Sequence, residues 1–217
     1  MKKGLTELVF ILDRSGSMSG LESDTIGGYN ALLEKQKREA GEAVITTVLF
    51  DDRYELLHDR INIRGIAPIT DREYYVRGTT ALLDAVGKTI NKLVNVQKHT
   101  AEEERAEQVM FVITTDGLEN ASREYSYAQV RHMIEQQKSK YGWEFIFLGA
   151  NIDAAETAER FGIAQDRAAN YHADSEGTRL NYEVLNEAVS NLRASRFISE
   201  NWKARIDEDY KKRGGRR

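Results

Sequence analysis

Three oxygen-bearing side chains, Asp13, Ser15 and Ser17, follow at alternate positions directly after the apolar run at residues 8–12. Carboxylate and hydroxyl oxygens are hard donors, which Mg²⁺ and Mn²⁺ prefer to sulfur. Gly16, between the serines, lets the backbone turn tightly and approach a ligand. The same residue types serve ordinary turns and helix caps, because short Asp and Ser side chains bond nearby backbone N–H groups. The triplet alone therefore does not establish a metal site. Two later segments carry the same chemistry. Gly78-Thr79-Thr80-Ala81-Leu82-Leu83-Asp84-Ala85 sets a hydroxyl at the start of a helix, and Val109-Met110-Phe111-Val112-Ile113-Thr114-Thr115-Asp116-Gly117 is an apolar run that closes on a carboxylate.

The elements that must position these residues are legible in the hydrophobic pattern. The run at 8–12 is too short for an isolated helix and rich in branched side chains, so it reads as a strand buried on both faces. Residues 21–40 read as a helix with Ile26, Tyr29, Leu32 and Leu33 on one face. Gly27-Gly28 weakens its middle and suits a close approach to the sheet, and Gly41 supplies a stop. Residues 43–50 and 54–63 are two strands joined by Asp51-Asp52-Arg53, a short polar link that predicts an antiparallel hairpin. Residues 65–78 have no clear element, and a loop of that length in a small domain is more often functional than decorative. Helices follow at 81–96 and 126–141, strands at 109–114, 143–148 and 168–172, and a capped helix from Asp153 through Phe161. From Gly177 a long helix presents Leu180, Val184, Leu185, Ala188, Val189 and Leu192 on one broad face. This alternation of strand and helix predicts a largely parallel sheet with helices on both faces, and strand-end residues far apart in sequence then meet at one edge.

Together the three oxygen-bearing segments resemble the von Willebrand factor A domain and its metal-ion-dependent adhesion site. The likeness covers residue 7 to about residue 170. It implies a three-layer, Rossmann-like doubly wound α/β fold, with a mostly parallel central sheet of about six strands and one antiparallel edge strand. It also implies that Asp13, Ser15, Ser17, Thr80 and Asp116 hold Mg²⁺ (or Mn²⁺), with Thr79 as the alternative register for Thr80. Neutral hydroxyls close to the cation leave it under-neutralised, so that it accepts a carboxylate from outside. The expected function is a metal-dependent protein-binding module that docks an Asp or Glu of a partner protein. Intracellular members of the family act beside ATPases or in stress-response complexes, which is the direction the likeness gives for that partner.

Composition narrows the remaining classes. A chain of 217 residues fits one sizeable α/β domain, here residues 1–195, followed by a helical extension and basic tail at 196–217. A net charge of −4 gives no reason to expect nucleic-acid binding. The absence of cysteine excludes disulfides, zinc–thiolate sites and thiol nucleophiles, and fits a reducing cytoplasm. The apolar run after Lys2-Lys3 is too short for a signal peptide, and none is long enough for a membrane span. Arg14 and Arg77 flank the expected ligands, either favouring an anionic partner or pointing away as surface charges. Asp51, Asp52 and Asn151 are rim positions of the same edge. The four histidines show no zinc spacing.

Two other functions remain in view. A metal-dependent hydrolase or phosphotransferase of the haloacid dehalogenase type also carries an Asp after its first strand, but it needs a second Asp where this chain has Ser15. No phosphate-binding Gly-x-x-x-x-Gly-Lys loop is present, so no enzyme activity is expected. An assembly scaffold with a structural metal would use the C-terminal stripe Ile198, Trp202, Ile206 and Tyr210, whose other reading is packing within the chain. The final residues 211–217 read as a disordered, solvated basic tail.

Overall fold

The apolar run at 8–12 lies inside strand β1 (Lys2–Asp13), an inner strand of a six-stranded sheet in a computed structural model that describes residues 1–214. Its side chains alternate between two cores. Leu8, Phe10 and Leu12 enter one, and Val9 and Ile11 enter the other, so the run has no polar face. The remaining strands are β2 (Glu42–Phe50), β3 (Tyr54–Asn62), β4 (Ala106–Thr115), β5 (Glu144–Ala150) and β6 (Ala168–Tyr171), in spatial order β3-β2-β1-β4-β5-β6. All neighbouring pairs are parallel except β2 with β3, which makes β3 an antiparallel edge strand. The six-stranded, mostly parallel sheet with one antiparallel edge strand that the resemblance implied is therefore the one observed.

Helices α1 (Glu22–Gln36), α5 (Ser175–Ser195) and α6 (Ala204–Lys212) cover one face, and α2 (Leu82–His99), α3 (Tyr127–Tyr141) and α4 (Ala154–Arg160) cover the other. The chain leaves β1 toward β2 on one side and later returns to β4 on the other. The strand order thus reverses between β1 and β4, the crevice where ligands of open α/β sheets collect.

Several local features differ from the sequence pattern. α1 ends at Gln36, well before Gly41, and Arg193 of α5 donates to the carbonyls of Gln36 (2.6 Å), Ala40 (3.2 Å) and Gly41 (3.3 Å). The first of these is a carbonyl that the end of a helix otherwise leaves unpaired. Gly28 brings α1 close to α5 rather than to the sheet: a Cβ there would lie 2.2 Å from the Tyr182 ring. α5 starts two residues before Gly177, with Asp174 accepting from the Gly177 N–H (2.8 Å) as its cap. The segment between β3 and α2 has little regular structure, yet Ile63, Ile66, Ile69 and Tyr74 are buried in the α1 and α5 core.

Beyond Ser195 the chain turns back onto the domain. Ile198, Trp202 and Ile206 are buried in the α1 and α5 core, the Trp202 indole N–H donates to the Asp166 carbonyl (2.7 Å), and Tyr210 stacks on His172. The stripe therefore packs within the chain and does not form a free assembly surface. Lys211 and Lys212 are the last residues of α6, and Arg213 pairs with Asp174 and Asp209, which corrects the expectation of a disordered tail from 211. Residues 215–217 lie outside the described residues.

Candidate metal centre

Asp13 ends β1, and Asp116 follows β4 on the adjacent strand, where Leu12 is paired with Thr114. The parallel register thus sets both carboxylates at one edge of the sheet. Ser15 and Ser17 leave β1 in a short 3-10 turn (Gly16–Met18), and Thr80 stands just before α2. Asp13, Ser15, Thr80 and Asp116 are all at most 3% exposed, whereas Ser17 is exposed at the mouth. All five residues converge.

Ser17 Oγ donates to Asp116 Oδ1 and lies 3.1 Å from Ser15 Oγ. Asp13 Oδ1 accepts from the Ser15 N–H (2.7 Å), and its Oδ2 accepts from Thr115 Oγ1 (2.6 Å). A Cβ placed on Gly117 would meet Ser17 Oγ at 3.2 Å and Thr80 Oγ1 at 3.4 Å, so a residue without a side chain leaves these two hydroxyls facing a shared space. Thr79 is exposed and Thr80 buried, so it is the Thr80 hydroxyl that faces this space.

Charge in the site is poorly balanced by the chain itself. Burial pushes the Asp13 carboxyl up to about 6, against hydrogen bonds from Ser15 and Thr115 that favour ionisation, and the neighbouring Asp116 raises it further. Burial likewise raises Asp116, whose Oδ2 is buried with no hydrogen-bond partner among the described residues. A buried carboxylate oxygen without a donor is unusual and costly. Arg14 and Arg77 do not relieve it. Arg14 is fully buried and donates to Asp51 (3.0 Å) and Glu55 (2.7 Å), and Arg77 donates to the same Asp51 oxygen (2.7 Å). The reading of Arg14 as a surface charge is thereby corrected, while Arg77 stays partly exposed and turns to Asp51; together they tie the hairpin and the 65–78 loop to β1.

The supports of the site were not legible as motifs. Tyr74 donates to the Asp13 carbonyl (2.5 Å), and the Gly16 N–H donates to the Gly78 carbonyl (3.1 Å). Gly78 itself has φ +65°, and a Cβ there would run into Asp52. Asn120 accepts from the Thr80 N–H (3.0 Å) while the Thr80 carbonyl accepts from the N–H groups of Asn120 and Ala121. Asp84 accepts from three consecutive backbone N–H groups, Arg123, Glu124 and Tyr125, each at 2.9 Å. The loop after Asp116 is thus fastened to the start of α2 at several points. Asp84 was visible in sequence only as part of the Thr80 segment, and Asn120 carried no signal.

Among the rim positions, Asp51 is fully buried, Asp52 is exposed beside Gly78, and Asn151 is exposed in the left-handed region (φ 55°) just after β5. Among the described residues no three His, Asp or Glu side chains cluster to hold a metal; what converges here is two carboxylates and three hydroxyls. That set fits a hard divalent cation.

No family model and no curated protein sequence matches the chain. Solved structures do. A von Willebrand factor type A protein from Catenulispora acidiphila superimposes with a TM-score of 0.59 at 12% identity, covering 86% of this chain and 42% of the other. Proximal thread matrix protein 1 from the mussel byssus, with a zinc-occupied MIDAS motif, gives 0.58 at 13% identity, over 85% of this chain and 46% of the other. The manganese-loaded TRAP protein of Plasmodium vivax gives 0.52 at 20% identity, over 69% and 58%. The chain spans about half the length of these proteins. Sheet order, the single antiparallel edge strand and these superpositions agree: the chain has the von Willebrand factor A fold.

Proposed function

We propose that this chain is a protein-binding module in which Asp13, Ser15, Ser17, Thr80 and Asp116 hold a divalent cation, Mg²⁺ or Mn²⁺, and that a partner protein docks on it through an Asp or Glu. The observation that carries the reading is the desolvated pair of carboxylates, one oxygen of which, Asp116 Oδ2, has no donor among the described residues while Arg14 and Arg77 are engaged by Asp51. When bound, a cation of this class supplies positive charge and a coordination position that an outside carboxylate can fill. The chain's own part is to hold hydroxyls rather than further carboxylates around that position, so that a partner's negative charge is still wanted. Exposed Leu118 (65%) lies two residues after Asp116, and Tyr75 (42%) stands against Arg77, and both offer apolar contact to a partner. The zinc and manganese in the similar structures support a divalent cation in this fold without selecting Mg²⁺. The reading includes no catalytic step, since the position two residues after Asp13 is a hydroxyl. Among the described residues no helix is long and apolar enough to cross a membrane. A cytoplasmic location belongs to the proposal and rests on the cysteine-free composition.

Thermal unfolding of the wild type and Asp13→Ala in EDTA, Mg²⁺ and Mn²⁺ tests the metal. A cation that binds only the folded chain, at ~100 times its dissociation constant, adds about 2.7 kcal/mol. The expected result is a metal-dependent rise in the wild type that Asp13→Ala abolishes. A wild type whose unfolding is the same in EDTA and in either metal overturns the proposal.

A further inference from the structure

A second cavity, of about 590 Å³, lies between α2 and α3 at the opposite edge of the sheet, by the start of β4 and just before β5. That volume is in the range of sites for small organic molecules. Its walls are apolar where they meet the core: Val94, Val109 and Trp143. Gln137 of α3 also lines it and is 3% exposed.

The charged residues around the cavity are not balanced. Lys98, Arg105 and Lys140 line it together with Glu102 and Glu107. Glu107 is already engaged, accepting from the Gly4 N–H (2.8 Å) and pairing with Arg196 (2.7 Å). Three cations therefore face one remaining carboxylate, in a chain whose net charge is −4. The Lys140 ammonium also lies over the Tyr141 ring, whose exposed face extends the apolar wall outward.

We infer that this cavity binds a small aromatic anion: the rings against Val94, Val109 and Trp143, and the anionic group among Lys98, Arg105 and Lys140. The site is separate from the candidate metal centre, so the inference does not depend on the function proposed above.

The probe is 1-anilinonaphthalene-8-sulfonate, which joins aromatic rings, an N–H and a sulfonate, titrated into the full chain and followed by its fluorescence. The expected result is saturable one-to-one binding, weakened tenfold or more by Lys98→Glu combined with Lys140→Glu. The uncharged N-phenyl-1-naphthylamine, with the same rings and N–H, is expected to bind at least tenfold more weakly. Asp13→Ala is expected to leave the titration unchanged. The two lysines are exposed, so their reversal is compatible with folding. Absence of saturable binding overturns the inference, as does equal affinity for the neutral compound or indifference to the lysine reversal.

Discussion

Asp13 shows what a single residue costs this fold when no cation is present. Its carboxyl titrates at about 6 in the folded chain against an ordinary value of 3.8, chiefly because of burial. The folded state therefore binds the proton more tightly than the unfolded one, and stability rises as pH falls from above 6 toward 3.8. At neutral pH the ionised form costs the metal-free chain about 3 kcal/mol. Asp13→Asn removes that cost: Thr115 Oγ1, which now donates to Asp13, can accept from the new amide instead. In EDTA the asparagine variant is expected to be the more stable at neutral pH. Chemical denaturation should show its advantage shrinking by about 2 kcal/mol between about pH 7 and pH 4.5. A constant difference across that range would sink the assignment. Arg14 is the opposite case, a buried charge fully engaged. Arg14→Met leaves Glu55 without its closest cation and Asp51 dependent on Arg77, and is expected to cost about 3–5 kcal/mol in the same measurement.

Among the elements, α1 carries two adjacent glycines with different duties. A Cβ on Gly27 meets nothing within 4 Å, whereas one on Gly28 would lie 2.2 Å from the Tyr182 ring. Gly27→Ala is expected to stabilise the chain by about 0.5–1 kcal/mol through helix propensity alone. Gly28→Ala gains the same propensity but must displace α5, so a net loss of about 1–2 kcal/mol is expected. Thermal unfolding of the pair separates the two effects, and equal shifts would mean that α1 and α5 do not pack as closely as described. The loop after Asp116 depends similarly on α2. Three backbone N–H groups rest on the Asp84 carboxylate, so this one side chain orders the segment that carries Asp116.

For the whole molecule, the C-terminal segment decides how far the domain extends. Trp202 is 9% exposed and Ile206 2%, both within the core that α1 and α5 share. Trp202→Ala is expected to cost about 3–5 kcal/mol, measured by denaturant unfolding, with no change in solution mass. A stability equal to wild type would mean that the segment after Ser195 is a detachable extension. The sheet meanwhile separates two regions by its strand polarity. The C-terminal ends of β1 and β4 present the carboxylate and hydroxyl cluster, and the N-terminal end of β4 borders the cationic cavity.

Strand β1, the hairpin of β2 and β3, the helical faces and the three oxygen-bearing segments were all legible from local pattern, because burial on one or two faces imposes a period on the residues that form each element. That Asp13 and Asp116 share an edge also followed, since parallel strands point their C-terminal ends the same way. Pairing between side chains far apart in the chain leaves no such period. The engagement of Arg14 and Arg77 by Asp51, the hold of Asp84 and Asn120 on the loops, and the capture of the end of α1 by Arg193 of α5 are contacts between distant segments. Nor does local pattern say what covers an apolar stripe. Ile198, Trp202 and Ile206 would read the same facing a partner as facing their own sheet, and only the packed chain, by closing α6 over β6 and α5, determined which.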